Sequence, residues 1–149
     1  MELQAPSERN SGFVDRAYAA RMTLEDQERL AGKGDMGLAA SARRLRAARY
    51  YAGLLQKDVA DAAGVKTTTL NNMERASSYP NRAVLKYFFR AHRVDFNFMM
   101  HGDFAQLPAD VQPALFAALE RVDAEWDRAD SGQAGRKSSS APKGKEAEA

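Results

Sequence analysis

Cysteine is absent from the 149 residues. That excludes a disulfide framework and any thiolate metal site. Histidine occurs only at His92 and His101, too few for an imidazole-rich metal centre without partner ligands. No apolar run approaches the roughly 18 residues that a membrane helix needs. The opening Met-Glu-Leu-Gln-Ala-Pro-Ser lacks the basic-then-apolar pattern of a secretory signal. The expectation is a soluble, cytoplasmic chain without membrane contact, and a reducing compartment suits the missing cysteine. No nucleophile–base spacing, phosphate loop or metal motif occurs. We therefore expect no catalytic residue, no metal, no cofactor and no enzyme activity. Strand signals and internal repeats are lacking as well.

Charge is present but unevenly placed. The net charge is only +2, yet residues 41–100 hold eleven Lys/Arg against four Asp/Glu. Residues 101–127 hold one against six. A basic middle between acidic flanks suits a polyanionic partner such as a phosphate backbone. The plainer alternative is that these arginines merely solubilise helix faces.

The chain divides by composition. Residues 1–12 are polar and aperiodic and read as a disordered arm. A weak helical patch follows at 13–31, with Thr23 ahead of Glu25 and Asp26 at its positive end. Gly32, Gly34 and Gly37 mark 32–40 as a linker, so 1–40 forms an extension. From 41 to 102 helix formers are dense. Ser41 is placed to cap a helix over 42–52, with Leu45, Ala48 and Arg49 inward and Gly53 at its end. Further helices are predicted over 56–63 (Val59, Ala60 and Ala63 inward, Gly64 stopping it), 67–75 (Leu70 and Met73 inward), 82–92 and 96–100. Pro80 ends the turn before 82–92, Asp95 caps 96–100, and Gly102 closes the run. Pro108 introduces a last helix over 109–127 within a 103–128 segment. Its Val111, Leu115, Leu119, Val122 and Trp126 make one apolar stripe, to be packed on its own domain or against a second copy. The tail 129–149 is aperiodic and reads as disordered. The class is all-α.

Residues 55–75 carry the functional signal. Two short helices meet at Gly64, and the small Ala60 and Ala63 permit close approach, as a helix-turn-helix requires. At about 100° per residue, Met73 falls beside Leu70 on the inner side of 67–75. Thr68 and Asn72 fall nearly opposite, flanked by Thr69 and Asn71. An ordinary exposed helix would not favour Thr-Thr-Thr-Leu-Asn-Asn, because threonine and asparagine are weak helix formers. Their side chains do suit base edges: asparagine pairs with adenine, and a threonine methyl suits the thymine methyl.

Residues 41–102 resemble the Cro/lambda-repressor (XRE-type) family of helix-turn-helix regulators. The resemblance rests on Arg44-Leu45-Arg46, Arg49, Gly53-Leu54, Gln56, Val59-Ala60, Gly64-Val65, Thr69-Leu70 and Met73-Glu74-Arg75. It continues through Pro80, Leu85, Val94-Asp95-Phe96 and Phe98-Met99-Met100 to Gly102. It implies a five-helix lambda-repressor-like DNA-binding domain, here with an added C-terminal amphipathic helix. It implies a sequence-specific, double-stranded-DNA-binding transcriptional regulator, acting by repression, with Thr67, Thr68 and Asn72 at base edges. Asn71 would lie near the backbone or a neighbouring base. Gln56 would bond a phosphate, joined by Lys57 and Lys66, and Arg49 with Glu74 would form a partly buried ion pair. A homodimer follows, since operators of this kind have two half-sites. The chain departs from the pattern at Leu55 and Lys66, where polar caps are usual, at Ala76, where a glycine is common, and at His92-Arg93, which replace Leu-Gly. The same domain also serves as the antitoxin of a toxin–antitoxin pair, or as a protein-interaction adaptor that no longer reads DNA.

Several residues look functional for plainer reasons. His92 reads as a core histidine near Phe88 and Phe89, and His101 as a cation at an exposed helix end. Tyr87, Phe88, Phe89, Phe96 and Phe98 read mostly as core, with Tyr87 the one expected to be open. Ser138–Ser140 reflects tail composition.

Overall fold

The computed structural model describes residues 21–139. They form seven helices and no strand: α1 (Leu24–Ala31), α2 (Leu38–Ala52), α3 (Gln56–Ala63), α4 (Thr67–Glu74), α5 (Arg82–His92), α6 (Phe96–His101) and α7 (Val111–Ser139). The expected arm 1–12, and residues 13–20 of the weak helical patch, lie outside the described residues.

Local chemistry fixes most of the helix starts. Thr23 Oγ1 accepts from the Asp26 amide at 3.1 Å, and the Asp26 carboxylate accepts from the Thr23 amide at 3.3 Å. This reciprocal cap starts α1. Asn81 and Asp95 cap α5 and α6 through their side chains. Ser41 does not cap α2. That helix begins at Leu38 with Gly37 as its N-cap, and the Gly37 amide is held by Asp35 Oδ1 at 2.8 Å. With that turn in place, Leu38, Ala39 and Ala40 already suit a helix. Ser41 is left inside it, fully buried, its hydroxyl without a partner among the described residues. The expected linker 32–40 therefore shrinks to 32–37.

The last helix also differs from expectation. It starts at Val111 rather than 109 and continues past 127 to Ser139, through eleven residues of the tail expected to be irregular. No proline interrupts it after Pro113, and its two glycines, Gly132 and Gly135, stand singly. A single interior glycine costs only about 1 kcal/mol, which a formed helix tolerates. Residues 140–149 lie outside the described residues.

Leu45, Val59, Leu70, Met73, Val84, Phe88 and Phe98 form the centre of the core. α7 packs along α2 and touches α1. Its stripe, Val111, Leu115, Leu119 and Val122, is at most 2% exposed. Those four residues are therefore packed within the chain, and Trp126, the last of the stripe, is half-buried. Phe104 and Phe116 meet edge to face at 5.0 Å beneath the stripe.

One side chain binds α1 to this body. Arg44 is 1% exposed. Its guanidinium donates to five backbone carbonyls, those of Ala31, Gly32, Asp35, Met99 and Met100, at 2.6–3.1 Å. Helix C-termini leave such carbonyls unpaired, so Arg44 joins the ends of α1 and α6 from within α2. Burial lowers its pKa, opposed by Asp35 and Asp103. Gly102 lets α6 approach: a β-carbon there would sit 2.6 Å from the Ala31 carbonyl oxygen.

The aromatic cluster divides differently from its expected placement. Phe88 and Phe98 are buried, but Phe89 is 59% and Phe96 55% exposed. Both line an open groove between α5 and α6, so residue type alone misplaces them. Tyr87 is half-buried, its hydroxyl 2.9 Å from His92 Nε2.

Candidate nucleic-acid interface

The site is built on α3, the turn Gly64-Val65-Lys66 and α4. Leu55 stands at the N-cap of α3 without a side-chain acceptor for the helix, but its own amide donates to Asp58 at 3.2 Å. Gly64 ends α3 in the left-handed region, and the Val65 amide returns to the Ala60 carbonyl at 3.0 Å. Ala60 is fully buried, which lets α3 and α4 approach closely. Lys66 begins α4 with no side-chain cap.

Leu70 and Met73 anchor α4 in the core, and Glu74 is fully buried. Thr67, Thr68 and Asn72 are exposed, while Thr69 and Asn71 are half-buried. Asn71 differs from the other three sequence-predicted base readers. Its Oδ1 accepts from Gln56 Nε2 at 3.3 Å, so each carboxamide orients the other across the joint between the two helices. Lys57 and Lys66 are exposed and form no ion pair among the described residues. Arg75, exposed directly after α4, is unpaired in the same sense. Its position in a polar turn was the available signal for adding it to the cationic set.

Glu74 is the fixed point behind this face. Arg49 Nε lies 3.1 and 2.9 Å from its two carboxylate oxygens, and Arg49 Nη2 is 2.8 Å from Oε1. Arg49 Nη1 also donates to the Leu54 carbonyl at 3.1 Å. A second guanidinium joins, to which the sequence pattern gave no role. Arg46 Nη2 donates to the Glu74 carbonyl at 2.9 Å, and Arg46 Nε is 3.8 Å from Oε1. The i, i+3 spacing of Arg46 and Arg49 on one helix was the signal that could have found it.

The arrangement holds a short helix by its inner side and leaves hydroxyls, a carboxamide and a methyl-bearing edge outward, with unpaired cations near both ends. Among the described residues no three His, Asp or Glu side chains group as metal ligands would. No described helix is long and apolar enough to cross a membrane.

Residues 41–96 match the family model of a helix-turn-helix domain. No curated protein and no solved structure matches the chain. The matched span covers α3, α4 and α5, the first residue of α6 and all but the first turn of α2, while α1 and α7 lie outside it.

Proposed function

We propose that the chain is a sequence-specific double-stranded-DNA-binding transcriptional regulator of the Cro/lambda-repressor type, with α4 reading the major groove. The observation that carries this is the outward face of α4. Thr67, Thr68 and Asn72 are exposed on a helix whose opposite side, Leu70, Met73 and Glu74, is fixed in the core. Such a helix offers donors, acceptors and methyl groups to base edges without a charge of its own at the centre. Gln56, Lys57 and Lys66 serve the phosphates and set the register, with Arg75 added to them. Asn71 acts at the joint, orienting Gln56 toward the backbone. Repression follows from occlusion when the bound site overlaps a promoter.

The same reading includes a homodimer, because one eight-residue helix spans few base pairs and two copies read a two-fold site. The surface available to a second copy is the groove of about 640 Å³ between α5 and α6, where Phe89 and Phe96 stand open. Its α5 wall carries Arg82, Lys86 and Arg90, and its far wall carries Asp95.

Selection of random duplexes by the purified protein, followed by sequencing, tests the assignment. A recovered motif with two-fold symmetry supports both parts, and recovery of no motif removes the DNA-reading role. Light scattering at micromolar concentration tests assembly separately. A strict monomer with and without DNA contradicts the homodimer.

A further inference from the structure

α7 lies outside the residues that match the helix-turn-helix family, yet it reaches α4 through one side chain. Arg46 is the relay. Its Nη2 donates to the carbonyl of Glu74, the last residue of α4. That end has no glycine cap: Arg75 follows at φ −100° and Ala76 at φ 62°. A guanidinium there satisfies a terminal carbonyl and opposes the negative end of the helix dipole.

The other side of the relay is aromatic. The Arg46 guanidinium lies 5.2 Å from the centre of the Trp126 ring, and that of Arg43 lies 4.9 Å from it. Arg43 is itself 3.4 Å from Asp123, one turn before Trp126 on α7. The same helix holds the next arginine layer. Glu125 accepts from the Tyr50 hydroxyl at 2.6 Å, and Arg121 stacks on the Tyr50 ring at 3.9 Å, with Arg49 5.0 Å from the same ring. Trp126 packs at the edge of the core beyond the buried Val111, Leu115, Leu119 and Val122, and is itself half-buried. Its ring also meets two arginines, one of which bonds the last carbonyl of α4.

We propose that Trp126 is a positioning residue for base reading: it holds Arg46 against the C-terminal end of α4 and so fixes how that helix is seated. α7 is thereby part of the reading head rather than only a cover for α2. The inference rests on the assignment of α4 to DNA. Stacking of a guanidinium on an indole is the contact that gives Trp126 this hold.

The test uses the full chain, the duplex recovered by selection and a scrambled duplex of equal length. Trp126→Leu keeps bulk without a π face, and Trp126→Phe keeps a ring. Trp126→Leu is expected to weaken the selected duplex by about 2- to 30-fold, the range seen for remote residues coupled to a site. Binding to the scrambled duplex stays unchanged, because phosphate contacts supply it. Trp126→Phe recovers most of the loss. Trp126 is the only tryptophan, so the emission of the parent chain reports the same contact. It is expected to shift with the selected duplex and not with the scrambled one. A purely structural role gives a lower melting temperature with an unchanged ratio of the two affinities, and that result overturns the proposal. So does a parent chain that prefers the selected duplex while Trp126→Leu and Trp126→Phe bind it equally well. A parent chain without any preference overturns the DNA assignment and this inference with it.

Discussion

At the scale of single residues, the buried charges carry the sharpest expectations. Glu74 is fully buried and neutralises Arg49, whose side chain is 12% exposed. Glu74→Ala leaves that guanidinium without its carboxylate, and breaking such a pair costs about 3–5 kcal/mol. Urea unfolding should show that loss, and replacing both partners by uncharged residues of similar size should cost less. A variant as stable as its parent contradicts the structural role. His92 sets a pH dependence. Burial lowers its pKa below the ordinary 6.5, so the unfolded chain takes up this proton first. The stability it contributes is complete above about pH 6.5 and is lost as pH falls through the lower folded value. Unfolding measured from pH 7.5 to 5 should show a smaller acid loss in His92→Gln than in the parent. An identical slope in both would show that the imidazole is not the group responsible.

At the scale of elements, two helix ends use residues that glycine would replace at lower cost. Ala76 (φ 62°) and Arg93 (φ 58°) sit in the left-handed region, which costs an L-residue roughly 1–2 kcal/mol. Arg93 offsets part of this by pairing with Asp110 at 2.6 Å, although both side chains are more than half exposed and such pairs contribute little. Ala76 has no such contact. Ala76→Gly should therefore raise stability by up to about 1 kcal/mol once the greater freedom of unfolded glycine is subtracted. A lowered melting temperature contradicts this. The sequence already marked both positions as departures from glycine. Helices α3 and α4 and the outward Thr68 and Asn72 were legible too, because periodicity is a local property. What the sequence could not show was long-range. Trp126 lies 80 positions from Arg46, and no local pattern joins them. The stripe on α7 announced a buried face without saying what buries it. Phe89 and Phe96 are core residues by type and surface residues by place. Asn71 faced outward on an ideal wheel, but Gln56 takes its carboxamide.

At the scale of the whole molecule, the helix-turn-helix is embedded between α1 and α7. Val111, Leu115, Phe116, Leu119 and Val122 are all buried, and each contributes roughly 1.5–3 kcal/mol by leaving water. Together that is comparable to the roughly 5–15 kcal/mol by which whole domains are stable. A chain ending at residue 103 should therefore lose cooperative melting by circular dichroism, and retention of a sharp transition would show that α7 is an accessory. The central claim is that this embedded frame presents α4 to base edges, and one titration tests it most directly. Asn72→Ala and Lys66→Ala are measured against the selected and a scrambled duplex at several salt concentrations. Asn72→Ala should weaken the selected duplex by about 1–3 kcal/mol and leave the scrambled one nearly unchanged. Lys66→Ala should weaken both alike and reduce the salt slope by about one unit. If Asn72→Ala weakens both duplexes equally, or neither, α4 does not read bases.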